Sequence, residues 1–197
     1  MSMLPRVALV LVPALALPLV ACIDDAPSLH PLFASSETLA PSAIEGDWVV
    51  QGDPGNRLHV EAVGDHYEFG APEEDCRSGD SRECLLKLRV VFGRLSHERF
   101  LDYTAGDGLI GAIPVHGFAR VRLSADRFEL AALKGEWLAE RIKTGQIALA
   151  HELLDGRVLI TDGTPELQQV FTEWAFDEGA FEEPTIYVRP GAVPAGQ

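Results

Sequence analysis

Basic residues are scarce in this chain: 16 Lys and Arg stand against 30 Asp and Glu, a formal net charge of −14. A surface of that sign cannot neutralise phosphates and release their counterions, which excludes nucleic acid as a partner. Anionic lipid headgroups would repel it as well. The acids are scattered, densest in EFGAPEEDC and FDEGAFEEP, so the charge reads as hydration and solubility rather than as a cation trap. A long hydrophobic run is also missing. The longest, VALVLVPALALPLVA, covers about 15 residues and contains Pro13 and Pro18, whereas a spanning helix needs roughly 20 apolar residues. Catalytic and metal motifs are missing too. The histidines (His30, His59, His66, His97, His116 and His151) form neither HxH nor HExxH, so their spacing gives no support to a zinc or iron site. There is no GxSxG elbow. Gly106, Gly108 and Gly111 in AGDGLIGAIPVHG lack the lysine and the strand-then-helix context of a phosphate loop, and that stretch reads as a long hairpin loop. Asp102, Asp107, Glu136 and Glu140 are conceivable as acid and base, yet carboxylates of this kind are usually solvated. The expectation is no catalytic residue, no metal and no cofactor.

What the chain does have begins at its start. Arg6, the short apolar run and the small residues that end it describe a secretory signal over residues 1–21, removed from the mature chain. Leu19, Val20, Ala21 and Cys22 resemble the lipobox of bacterial lipoproteins. The resemblance implies cleavage before Cys22, a diacylglycerol on its sulfur, and a further acyl chain on the new amino group. A plain signal with an incidental cysteine is the alternative. One acyl chain holds a protein only marginally, but two or three anchor it stably. Ile23 rather than aspartate follows the cysteine, which in the enterobacterial sorting pattern leans toward the outer membrane, facing the periplasm, over the inner membrane. Only Cys76 and Cys84 then remain, an even number in an oxidising compartment. They frame CRSGDSREC, whose composition reads as a turn. A disulfide there would restrict the unfolded chain by roughly 2–3 kcal/mol, and the metal alternative lacks further Cys or His nearby.

Removing the signal leaves 176 residues with 15 basic against 30 acidic side chains, net −15, enough for one domain with a real core. Residues 22–43 are rich in Ser, Ala and Pro and read as a tether, with His30 to Phe33 able to dock on the body. Residues 44–189 form the body, and residues 190–197 read as a disordered tail. Period-two alternation marks strands. Leu58 and Val60 oppose Arg57, His59 and Glu61; Tyr67 and Phe69 share a side; Leu86, Leu88, Val90 and Phe92 oppose Lys87, Arg89 and Val91. In FARVRLS, Arg120 and Arg122 fall on the solvent side. Further strands are expected at ERFLDYT, RFELAAL, IALAHEL, GRVLITD and TIYVR, about nine in all, which describes a mostly β antiparallel barrel or sandwich. Two helices interrupt it. One carries Leu133, Trp137, Leu138 and Ile142. The other is capped by Thr164 and carries Leu167, Val170, Phe171, Trp174 and Ala175 as a core-facing stripe.

Gly46-Asp47-Trp48 is a GxW opening the first strand, and Arg189 closes the ordered part. That pairing resembles lipocalins, which implies that Trp48 plugs one end of a barrel and Arg189 stacks on it by a cation–π contact. The chain more broadly resembles uncharacterised bacterial lipoproteins that look lipocalin-like. The matching pieces are Cys22, His30-Pro31-Leu32-Phe33, Pro41, Gly46 to Trp48, the FLD at Phe100 to Asp102, the FARV at Phe118 to Val121, and TPELQ at Thr164. The expected function is a non-catalytic, lipid-anchored periplasmic domain that binds a small apolar ligand or lipid. The alternative is a structural or assembly lipoprotein with a filled barrel that acts through protein contacts.

Overall fold

The computed structural model describes residues 26–33, 44–72, 85–105, 114–154 and 157–191. The expected signal, Cys22, the Cys76–Cys84 pair, the loop at Gly106 to Gly111 with Asp107, and residues 192–197 lie outside the described residues. Seven strands run as an antiparallel meander: β1 (Gly46–Val50), β2 (Asp53–Val63), β3 (His66–Pro72), β4 (Leu85–Leu95), β5 (Glu98–Ala105), β6 (His116–Leu123) and β7 (Arg127–Ala132). The chain then leaves the wall for α1 (Gly135–Lys143), β8 (His151–Leu154), β9 (Arg157–Ile160) and α2 (Thr164–Trp174). It returns through a short 3-10 turn at Glu178–Ala180 as β10 (Thr185–Val188). β10 fits between β7 and β1 and closes an eight-stranded barrel, ordered β1-β10-β7-β6-β5-β4-β3-β2, while β8 and β9 pair as a separate hairpin. The molecule is thus mostly β with two helices, as expected, with ten strands among the described residues.

Alternation explains the wall where one face meets water. Leu58, Val60, Tyr67, Phe69, Leu88, Val90 and Phe92 point inward and are buried, whereas Arg57, His59, Glu61, Lys87 and Arg89 are exposed. The inner core gathers seven aromatic rings: Trp48, Tyr67, Phe69, Phe92, Tyr103, Phe128 and Tyr187. Phe128 stacks on Tyr187 with centroids 4.6 Å apart and meets Trp48 edge-on at 4.7 Å, arrangements that add to plain area burial.

β5, β6 and β7 differ because both of their faces are covered. A second core outside the barrel packs Phe100, Phe118 and Ala131 under Leu138, Ile160, Leu167, Phe171 and Phe181. The Phe171 ring meets Phe100 and Phe118 edge-on, each at 5.3 Å. The apolar stripe of α2 supplies this layer, as its periodicity predicts. Its start differs from expectation: Gly163 holds the cap position, Thr164 is the first helical residue, and no side chain caps the helix. The Thr164 hydroxyl instead donates to Pro31 O at 2.6 Å, a tertiary partner that outbids the local one.

Candidate functional site

One end of the barrel is sealed. The β2–β3, β4–β5 and β6–β7 turns gather there with the entry to β1. Trp48 is buried, and its indole N–H donates to Ile44 O at 2.7 Å. The Arg189 guanidinium carbon lies 3.8 Å from the Trp48 ring centroid, and its Nη1 donates to Glu45 O at 2.8 Å. Gly46 is needed on two counts. Its φ of +105° suits only glycine, and a β-carbon there would lie 3.0 Å from Arg189 Nη1. Gly46, Trp48 and Arg189 therefore form one plug.

The other end carries the β1–β2 turn, the ends of β3 and β5, and the return into β10. A cavity of about 60 Å³ opens here between Phe69, Leu88, Leu101, Leu130 and Tyr187, with Glu182 and Glu183 at its rim. Ligand pockets for drug-sized molecules run to roughly 300–1,000 Å³, so this opening, among the described residues, is several times smaller than such a pocket. The acidic rim also disfavours a carboxylate or phosphate headgroup at the mouth.

A denser polar arrangement lies outside the barrel, where residues 26–33 clip onto the body. Ser28 and His116 exchange backbone hydrogen bonds at 2.9 and 2.8 Å. On the other side, Leu29 N–H donates to Ile160 O at 3.0 Å and Ile160 N–H to Pro27 O at 2.8 Å. The segment thus bridges β6 to β9. Leu32 and Phe33 are buried, and the Phe33 ring lies flat on Gly93 of β4, where a β-carbon would come within 2.2 Å of it. The backbone of Pro31 and Leu32 is satisfied by side chains. Leu32 N–H donates to Asp102 Oδ2 at 2.6 Å, Gln168 Nε2 donates to Leu32 O at 2.9 Å, and Thr164 serves Pro31. Pieces quoted separately from the sequence, HPLF, FLD and TPELQ, meet in this one clasp.

Asp102 is therefore not a solvated carboxylate: it is 4% exposed, and its second oxygen lies 2.6 Å from His116 Nδ1. Its burial is tolerated because both oxygens have partners. Serine, histidine and aspartate are the residue types of a nucleophile, base and orienter, but Ser28 does not take part in such a relay. Its hydroxyl is fully buried and donates to His30 O at 2.9 Å while accepting His30 N–H at 3.1 Å. Glu136 and Glu140 are exposed on α1. His59 faces outward beside Asp47, with 2.7 Å between them. Among the described residues, no three His, Cys, Asp or Glu side chains gather as metal ligands would.

Arg120 also departs from its expected place. It points outward from β6, yet the helical layer covers it to 5% exposure. Its Nη2 donates to Glu178 Oε2 at 2.6 Å, its Nη1 donates to Ala175 O at 3.3 Å, and its guanidinium sits 4.5 Å from the Phe181 ring centroid. The Arg120 hydrogen bond and charge, with Arg122 behind, hold the Glu178 carboxyl below its ordinary range. Alternation alone missed both Asp102 and Arg120. The signal that could have found them is a phenylalanine two residues before each on the same face, at Phe100 and Phe118.

The architecture is a barrel sealed at one end and nearly filled within, with a helical layer on one side held down by an N-terminal clasp. Comparisons with family models, curated proteins and solved structures give no match to this chain.

Proposed function

We propose that this chain is a bacterial envelope lipoprotein, acylated at Cys22 and facing the periplasm from the outer membrane. Its domain is non-catalytic and acts in structure or assembly through surface contacts. The observation that carries the choice between carrier and assembly protein is the interior: among the described residues, seven aromatic side chains pack in it and the cavity beside them measures about 60 Å³. A lipid carrier needs several times that volume. The polar residues outside the barrel support the same reading, because the Asp102 and Arg120 side chains are committed to holding segments together. The carrier reading is favoured only by the apolar wall of the small cavity. That wall encloses a space several times smaller than a pocket for a drug-sized ligand. The lipocalin-like resemblance is compatible with either reading, since a fold does not prescribe a cargo.

Native mass spectrometry discriminates the two. The domain is exported under an ordinary secretory leader with Cys22→Ser and incubated with membrane lipid extract. Bare protein is the expected result. A stoichiometric added mass released by organic solvent would overturn the assembly reading and establish a carrier.

A further inference from the structure

Acylation of Cys22 has a geometric consequence once residues 26–33 are seen to be fixed on the body. Only Ile23, Asp24 and Asp25 separate Cys22 from Ala26, which is buried. Four residue steps at full extension reach roughly 14 Å. The body therefore cannot float away from the membrane on a long tether; one side of it must lie against the lipid.

The backbone says which side. Ser28 pairs with Ile160 in parallel, so running back from Ser28 to Ala26 heads the same way as β9 does from Ile160 back toward Arg157. Arg157 stands three residues before Ile160, roughly 10 Å along a parallel strand. That turn is flanked by Leu153 and Leu154, which are 65% and 54% exposed. They are two of the three large apolar side chains found exposed among the described residues, Phe176 being the third. Opposite them on β9 stand Val158 and Arg157. Val158 is buried, so the hairpin leaves the outer core just where its leucines begin. The stretch Glu152 to Arg157 carries two acids and one arginine around its leucines, so its affinity for a membrane interface comes from the exposed apolar side chains and not from charge. The net charge of −15 keeps the rest of the surface off anionic headgroups.

We propose that the tip of the β8–β9 hairpin is a membrane foot: Leu153 and Leu154 seat in the lipid–water interface beside the acylated Cys22 and fix the orientation of the barrel on the bilayer. The inference rests on the anchoring reading above. The bilayer is the occupant because the anchor, at most four residues from the docked segment, brings lipid to this tip before any other surface.

The test uses the full-length chain, made with its own leader and extracted from membranes. Intact mass establishes acylation. Leu154→Trp is compared with Glu61→Trp, an exposed position on β2, which lies four strands from β6 in either direction around the barrel. Both are reconstituted in phosphatidylethanolamine vesicles with a minority of phosphatidylglycerol, with brominated or ordinary acyl chains. The foot is supported if Leu154→Trp loses most of its added emission in brominated vesicles while Glu61→Trp keeps its own. An acylated, vesicle-bound Leu154→Trp protein that is not quenched overturns the foot and leaves the anchor standing. A blue shift that grows with protein concentration and ignores bromine also overturns it, because a second copy then covers the tip. A mass without acyl chains removes the anchoring reading, and the foot with it.

Discussion

At the scale of single residues, the sealed end of the barrel depends on a glycine, a tryptophan and an arginine that serve one another. Lysine at position 189 would keep the charge but lose the flat guanidinium and its fork of donors. Arg189→Lys is expected to cost about 1–2 kcal/mol in urea unfolding. Gly46→Ala, forced to a φ of +105°, should cost about 1–3 kcal/mol, and an unchanged midpoint would contradict the plug. Glu178 gives a pH dependence of definite sign. Its folded carboxyl titrates below the ordinary value of 4.5 because Arg120 binds its charged form. The stability it contributes is complete above about pH 4.5 and is lost as the pH falls through the lower folded value. Melting temperatures of the native chain and Glu178→Gln should therefore differ at neutral pH and converge in acid. A gap that kept its full size however far the pH was lowered would show that the loss has another cause.

At the scale of elements, the chain advertised its strands best where water touches one face. β2, β3 and β4 alternate cleanly, so the pattern alone places Leu58, Tyr67 and Val90 inside. β5 and β6 alternate too, but their outward residues are covered by α2, and alternation cannot distinguish outward from exposed. That is why Asp102 and Arg120 read as solvated. Thr164 read as a cap because local spacing is visible in a sequence, whereas Pro31, its actual partner, is far away in the chain. The clasp itself was legible only as an apolar HPLF inside a polar stretch. Two substitutions probe it. Asp102→Asn removes the charge shared by Leu32 N–H and His116 and should cost about 1–3 kcal/mol. Gly93→Ala places a methyl inside the Phe33 ring and should expel it, at a cost approaching about 3 kcal/mol. In both, hydrogen exchange at the Leu32 amide should accelerate more than exchange at Val60 inside the barrel wall. Equal acceleration would mean that the clasp does not open on its own.

At the scale of the molecule, the inner and outer cores share β5, β6 and β7, so neither has a wall of its own. They are expected to unfold as one unit. Variants that retain only Trp48, inside the barrel, or only Trp174, in the outer layer, should report the same urea midpoint, and separated midpoints would divide the fold in two. The order of synthesis carries a further consequence. β10, which closes the barrel between β7 and β1, is the last strand to be made. Until Val188 has been made, a growing chain keeps two raw sheet edges, on β1 and β7, each a template for pairing with a neighbour. The clasp waits in the same way: Ser28 and Leu32 emerge first, but Ile160, Thr164 and Gln168, to which they bind, emerge late. Synthesis therefore produces first an open sheet with an unseated clasp, and β10 and residues 26–33 lock only once the late elements have been made.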